Sequence, residues 1–506
     1  VMRWSGCRSK IVCTIGPASD KEATLRKMIQ AGMRVARINL AHGTPEEHGS
    51  RIQRIRRAAL AESCRLAILA DLPGPKIRIG VLPEPMRLKR GDRVLLAPPD
   101  ANPDKHNDRL RSTAPAATVL PRGTALHIPL ELPPLARPLR PGDSVFLSDG
   151  FIVLNVEKEQ DGHWLCRVQN GGVLLSHKGV NLPAVQLEGG AFTDRDRDLA
   201  AFALAAGVDA LSVSFVEKRE DIEAARRYCR QLGHDPFIVA KIERKQACKR
   251  IDEILEAADA IMVARGDLGV ETPIEGIAIL QKRLIRKARA HGKPVITATQ
   301  MLESMVQQPR PTRAEATDVA NAILDGTDAV MLSEESAMGE HPVLAVRMLA
   351  RIAQAVEDTR VLYAPGDDDD VPTAPDVESV VALQAANSAR VLKPLCIVTP
   401  TESGASARRV ARYRLRPWII ALCPREKVCQ ELAFSYGVHG VHMASPSAGW
   451  EFAARAWLRQ QGKVRGRMLL TQGPSQGHPG GTNRLEIIDL ESTAIDLPRD
   501  PHELLD

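Results

Sequence analysis

The feature that most constrains this chain is a recurrence. Short apolar runs, rich in β-branched residues and ending in polar ones, alternate with stretches of helical periodicity. Eight such runs are present: Lys10–Gly16, Arg34–Leu40, Arg65–Leu72, Asp209–Phe215, Phe237–Ile242, Ala260–Arg265, Pro294–Gln300 and Ala329–Glu334. A strand that is apolar along its whole length is buried on both faces, which a parallel sheet covered by helices provides. The helical stretches carry their own punctuation. Thr44-x-x-Glu47 and Thr312-x-x-Glu315 read as capping boxes, and Gly32, Gly207, Gly233 and Gly292 stand where helices should stop. Eight repeats favour closure into a (β/α)8 barrel over an open sheet.

The alternation breaks twice. From Ile79 to about Lys178 the helical period disappears, and strand-like segments are separated by Gly91-Asp92, Gly142-Asp143, Asp149-Gly150, Asp161-Gly162 and Gly171-Gly172. This predicts a small β domain inserted after the third barrel strand, with Ala97–Pro121 as a surface loop. The second break, Ala364–Asp376, holds Asp367–Asp370 and three prolines and reads as a linker. Beyond it, strand-like Leu395–Val398, Trp418–Leu422 and Arg467–Leu470 alternate with helices. The expected organisation is a barrel from residues 1–78 and 179–360, a lid from 79–178, a linker at 361–376 and an α/β domain from 377–506.

Composition narrows the function classes. Of 506 residues, 44% are hydrophobic and 26% charged, as in an ordinary globular protein. Only 3% are aromatic, too few for platforms that stack single-stranded nucleic acid, and the net charge is a modest +6. The basic run Arg51–Arg57 is broken by apolar residues at helical spacing and reads as a solvated helix face. The nine cysteines follow no metal-binding spacing, which predicts reduced thiols and a cytoplasmic protein without zinc. No segment resembles a signal peptide or a membrane span.

Active sites of such barrels lie at the C-terminal strand ends. There the second run offers Arg37, Asn39 and His42, the third Asp71, and the fourth Ser214. The fifth offers Lys241 and Glu243, the sixth Arg265-Gly266-Asp267, the seventh Thr299 and Gln300, and the eighth Ser333. Lys241 and Glu243 are two apart on a strand and share a face. An isolated pair of this kind is ordinarily a structural ion pair, but Asp267 arrives from the next strand. Two carboxylates, a lysine and the planar fork of Arg37 on one rim suit a hard divalent cation and an anionic substrate. Positioning and charge neutralisation are what phosphoryl transfer requires. No Walker or Rossmann glycine loop occurs, so any nucleotide is held otherwise, with the inserted lid to exclude water.

At these residues the chain resembles the pyruvate kinase family, from Lys10 to Leu490. The strings that carry the resemblance are K-I-V-C-T-I-G-P-A-S from Lys10, K-G-V-N-L-P from Lys178 and A-K-I-E from Ala240. Longer ones are I-M-V-A-R-G-D-L-G from Ile261, A-T-Q-M-L-E-S-M from Ala298 and R-P-T-R-A-E from Arg310. The resemblance implies transfer of a phosphoryl group from phosphoenolpyruvate to ADP, giving pyruvate and ATP. It implies that Arg37 grips the phosphate, Lys241 stabilises charge in flight, and Glu243 and Asp267 hold Mg²⁺, for which Mn²⁺ can substitute. Gly266 and Thr299 receive the substrate carboxylate, and Thr299 with Ser333 lies on a proton route. Asn39, His42, Arg78, Asp149 and Lys178 match nucleotide-binding positions, and a homotetramer is implied.

The chain also departs from the family pattern. K⁺-dependent members have serine at Ala41, and usually threonine, glutamate and threonine at Leu72, Lys76 and Ile79. Asn39 and Asp71 remain of the cation's ligands. The fixed charge of Lys76 is therefore expected to replace K⁺. Glu334 stands where the family commonly has a small residue. In the last domain, Thr401, Ser403, Gly404 and Ser406 resemble a sugar-phosphate effector loop faced by Pro474–Asn483. Glu402 replaces a lysine found in members activated by fructose 1,6-bisphosphate, so a monophosphate or nucleotide effector, or none, is expected. A lyase or aldolase on the same barrel, or a non-catalytic regulator, are the competing classes.

Overall fold

A computed structural model describes residues 6–98, 125–130, 139–148, 150–160, 163–183, 185, 189–359, 376–473 and 481–491. All eight predicted runs are strands: β1 (Lys10–Thr14), β2 (Met33–Asn39), β3 (Ala67–Asp71), β4 (Ala210–Val213), β5 (Phe237–Ile242), β6 (Ala260–Ala264), β7 (Val295–Ala298) and β8 (Ala329–Leu332). They close into a barrel in which β1 pairs with β8 and β2, and every pair is parallel. Seven of the predicted runs overshoot at their C-terminal ends because the last residues turn out into the rim, and the fifth, Phe237–Ile242, matches its strand.

Period-2 alternation divides the core. Val12, Val35, Leu69, Val239, Met262, Ile296 and Met331 fill the barrel, while Ile11, Ile38, Ile68, Ile238 and Ile261 pack under the helices. The barrel floor is closed by Phe434, from the C-terminal domain, stacked on Phe237 with ring centroids 5.1 Å apart. Register is fixed by a repeated device. Asp209, Asp259 and Asp328 each precede an even-numbered strand. Their carboxylates accept from Ile68 N (2.6 Å), Ile238 N (2.8 Å) and Val295 N (3.1 Å) on the neighbouring strand. Arg56, Arg226 and Arg414 neutralise them.

Both predicted capping boxes form, at Thr44 and Thr312, and a third at Thr193 uses Asp196. The four stop glycines all have positive φ. Along the helix Pro45–Ala61, Arg54, Arg56 and Arg57 pair with Asp20, Asp209 and Glu22, which accounts for the basic run.

The insertion is a seven-stranded sheet in the order Ile77–Arg78, Gly179–Asn181, Ser144–Leu147, Ile152–Gln160, His163–Asn170, Arg93–Ala97, Ala125–Pro129. Its two ends pair antiparallel with each other, Arg78 opposite Gly179, forming a neck. Gly91 (φ 92°) and Gly142 (φ 94°) make the expected turns. The turn between its third and fourth strands lies against the barrel: a Cβ on Gly150 would stand 3.1 Å from a Val270 methyl. Asp149, Asp161-Gly162 and nearly all of Ala97–Pro121 lie outside the described residues, as does the linker except Asp376.

The C-terminal domain is a five-stranded sheet in the order Val438–His442, Trp418–Cys423, Cys396–Pro400, Arg467–Gln472, Arg484–Asp489, the last strand antiparallel. Sequence reading found the three central strands and missed both edges, whose V-H-G-V-H and R-L-E-I-I-D carry little apolar continuity.

Candidate active site

The C-terminal strand ends bring together Arg37, Asp71, Lys241, Glu243 and Asp267. Asp71, 2% exposed, is the hub. Arg37 reaches it with Nε at 2.9 Å and also through Nη2, Ser212 donates to its other oxygen at 2.6 Å, and Lys241 Nζ stands 3.4 Å away. Burial pushes the Asp71 carboxyl up, but the charges of Arg37 and Lys241 outweigh it and hold the group at about 2.

Lys241 Nζ also contacts Glu243 Oε1 at 2.9 Å and donates to Ser214 Oγ at 2.7 Å. Burial works against its charge, and Asp71 and Glu243 restore it, so its pKa lies above the ordinary lysine value. Glu243 accepts from Phe215 N at 2.7 Å. Burial raises Glu243; Lys241 opposes this and the neighbouring Asp267 carboxylate adds to it. Two neighbouring carboxylates that repel each other, each paired with an ammonium, have the chemistry to share a divalent cation. Among the described residues no group of three or more His, Cys, Asp or Glu side chains could hold a metal. Two carboxylates with the remaining positions left to water and substrate oxygens is the arrangement Mg²⁺ favours.

Asp267 begins its rim position on the short helix Arg265–Glu271, directly after β6. Lys76 Nζ lies 3.2 Å from Asp267 Oδ1, and Asn181 Nδ2 lies 3.5 Å from the same oxygen. Lys76 thus stands against one of the two carboxylates expected to meet the metal. Of the two residues expected to remain of a K⁺ site, Asp71 is spanned by Arg37, Lys241 and Ser212, and Asn39 Oδ1 accepts from Ala41 N at 3.1 Å.

Gly266 N donates to Thr299 Oγ1 at 2.8 Å, joining the two residues expected to meet a substrate carboxylate. Thr299 (φ 66°) and Gln300 (φ 54°) are both left-handed, as is Phe215 (φ 56°) elsewhere on the same rim. A β-branched residue in that region is strained, and such strain collects at functional sites. Arg265 does not join the rim: it turns away to bind Asp318 at 2.7 Å and the Thr299 carbonyl at 2.6 Å, bracing the strained turn.

Ser333 Oγ is buried without a hydrogen-bond partner. Its backbone N–H is held by Glu335 at 2.6 Å, and the same carboxylate accepts from Leu302 N at 3.1 Å. Glu334, whose role the sequence left open, is exposed; its neighbour Glu335 is the one turned inward.

Of the nucleotide candidates, Arg78 and Lys178 lie at the lid neck and His42 lies within reach of the Arg78 charge. Burial and the charges of Arg78, Arg195 and Lys76 all lower the His42 pKa, which places a basic group around it. Arg78 donates to His177 O, and Lys178 O accepts from Ile79 N across the neck. Asp149 lies outside the described residues. Sequence reading missed Thr14, which accepts from Arg37 at 2.8 Å, and also Ser212, Asn181 and Arg195. Thr14 and Ser212 lie at or just inside the strand ends, so reading the inward-facing positions below the rim would have found them.

In the last domain, Thr401 Oγ1 accepts from Gly404 N at 2.9 Å and Ser403 Oγ from Ala405 N at 3.4 Å, ahead of the helix Ala405–Ala411. Ser406 meets Thr482 at 2.7 Å; residues 474–480 of the facing loop lie outside the described residues.

Comparison with known proteins agrees with this arrangement. The model for the pyruvate kinase barrel domain matches residues 7–346, and that for the pyruvate kinase alpha/beta domain matches 379–488. The chain is 41% identical to a pyruvate kinase of Thermococcus litoralis over 488 residues, 96% of this chain and 98% of the relative. It is 40% identical to that of Geobacillus stearothermophilus, covering 95% and 80% of the two chains. With the Thermotoga maritima enzyme it shares 35%, covering 96% and 99%. A closed barrel with this charge array, an inserted lid and an α/β domain, matched along nearly its whole length, belongs to the pyruvate kinase family.

Proposed function

We propose that this rim transfers the phosphoryl group of phosphoenolpyruvate to ADP, giving pyruvate and ATP, the closing step of glycolysis. The observation that carries the reading is the alternating charge array Arg37–Asp71–Lys241–Glu243, with Asp267 facing its end. Arg37 is placed to grip the phosphate and Lys241 to stabilise the phosphoryl group in flight and the enolate oxygen. Glu243 and Asp267 would hold Mg²⁺ or Mn²⁺, which supplies charge neutralisation at the transferring group. Gly266 and Thr299 receive the substrate carboxylate, and Thr299 and Ser333 serve proton delivery to the enolate carbon. Asn39, His42, Arg78 and Lys178, with Asp149, approach the nucleotide.

The test is an ADP-phosphorylation assay with phosphoenolpyruvate and Mg²⁺. ATP and pyruvate should appear in equal amounts, and Lys241→Met should lower kcat by about 1000-fold. Absence of ATP formation would point instead to another enzyme class on the same barrel, a lyase or aldolase; pyruvate and free phosphate without ATP would mean transfer to water.

Lys76 supports a reaction without a monovalent cation, since its charge is fixed beside Asp267 and the remaining K⁺ positions have protein partners. In tetramethylammonium buffer, adding K⁺ should raise the rate less than about tenfold, the span of 1.4 kcal/mol. Glu402 favours a monophosphate or nucleotide effector, or none. Activation of tenfold or more by micromolar fructose 1,6-bisphosphate would reject that. Ile274 and Ile279, 83% and 69% exposed, support burial of the barrel flank in a homotetramer, which sedimentation tests. The free cysteines support a cytoplasmic enzyme, and no helix of the described residues is long and apolar enough to cross a membrane.

A further inference from the structure

We propose that Ser214 is a positioning residue, which fixes the Lys241 ammonium through a hydroxyl whose polarity is set by the Leu72 carbonyl. This rests on the reading of Lys241 as the phosphoryl-stabilising charge. Ser214 follows β4 directly and is 1% exposed. Its Oγ lies 2.6 Å from Leu72 O and 2.7 Å from Lys241 Nζ. A carbonyl can only accept and an ammonium can only donate. The single Ser214 proton therefore goes to Leu72 O, and the hydroxyl oxygen offers Lys241 a lone pair.

Both partners of that relay are held in place. Leu72 N donates to Ser212 O at 3.0 Å, tying the turn after β3 to β4. Gly74 (φ 63°) then folds back so closely that an added Cβ would stand 3.0 Å from Ser214 Cβ. Gly74 N in turn donates to buried Asp196 at 3.0 Å. The hydroxyl sits in a rigid bracket between two strands.

Three acceptors surround the Lys241 ammonium: Ser214 Oγ at 2.7 Å, Glu243 Oε1 at 2.9 Å and, as a longer ion pair, Asp71 Oδ1 at 3.4 Å. Two of these are carboxylates with other work. Asp71 is shared with Arg37 and Ser212, and Glu243 is the side chain assigned to the divalent cation. Ser214 alone is neutral, so its hold does not depend on which charges enter the site. Ser212-Val213-Ser214 thus presents two hydroxyls two residues apart on one face, one to the carboxylate hub and one to the ammonium.

The test compares Ser214→Ala and Ser214→Cys with wild type and with Lys241→Met. The thiol fills the serine volume but is a poor acceptor, which separates hydrogen bonding from packing. Both serine variants should lower kcat about 100-fold with KM for phosphoenolpyruvate within about threefold, as a misplaced catalytic group does. Metal-free crystal structures of both should show Nζ displaced from its wild-type place toward the two carboxylates, with Tm little changed. Retention of wild-type kcat by either variant, a loss confined to KM, or an unmoved Nζ overturns the proposal. If Lys241→Met itself keeps the wild-type rate, it is the underlying assignment of Lys241 that fails.

Discussion

Asp71 stands at the centre of the site's charges. It is buried, takes hydrogen bonds from Arg37 and Ser212, and faces Lys241. Asp71→Asn would leave two buried cations short of their counter-charge and should cost about 3 kcal/mol at pH 7. The pH dependence follows from the low folded value of about 2 against an ordinary 3.8. The unfolded chain binds the proton first, so the stabilisation is complete above roughly pH 4 and fades as pH falls toward 2. The Tm gap between wild type and Asp71→Asn should therefore be constant from pH 7 to 5 and narrow at pH 3.5. A gap unchanged at pH 3.5 would show that Asp71 is not held ionised by its neighbours. The core of the site was legible because Lys241 and Glu243 share a strand face and Asp267 follows the next strand. Asn181 was not, since it reaches Asp267 across 86 residues and from the neck strand of the inserted sheet. Arg265 misled for a simple reason: a rim position says where a side chain starts, not which way it turns.

At the scale of elements, the aspartates before β4, β6 and β8 act as register pins. Asp259→Ala would strip Ile238 N of its acceptor inside the barrel wall and should lower stability by about 2 kcal/mol. Loss of the Thr312 cap should cost about 1 kcal/mol, because Thr312→Ala frees the N3 backbone donor. Thermal melts of the two variants should rank in that order. Strands and caps were readable here because each is a local pattern. Continuous apolar runs mark strands covered on both faces, and all eight barrel strands announced themselves so. The edge strands Val438–His442 and Arg484–Asp489 are covered less and alternate weakly. The Thr193 box escaped because it uses Asp196 where the pattern sought has Glu or Gln.

For the whole molecule, the barrel and the C-terminal domain are joined by Asp328. It accepts from Val295 N and Tyr436 N and pairs with Arg414 at 2.6 Å, with both side chains under 5% exposed. Asp328→Ala should cost about 4 kcal/mol and split the melting transition in calorimetry, as Arg414 loses its buried partner. Sequence could not show this junction, nor Phe434 beneath the barrel, because no local pattern records which surfaces of two domains meet. The neck of the lid has a consequence of another kind, for the order in which the chain folds. Asp71 and Ser212, which must pair to seal the barrel between β3 and β4, are 141 residues apart. Once Arg78 has zipped to Gly179, the loop left to close is roughly 40 residues, and its entropy is correspondingly smaller. The excursion then acts as a folding shortcut: pulse-labelled hydrogen exchange should find lid amides protected before those of β3 and β4.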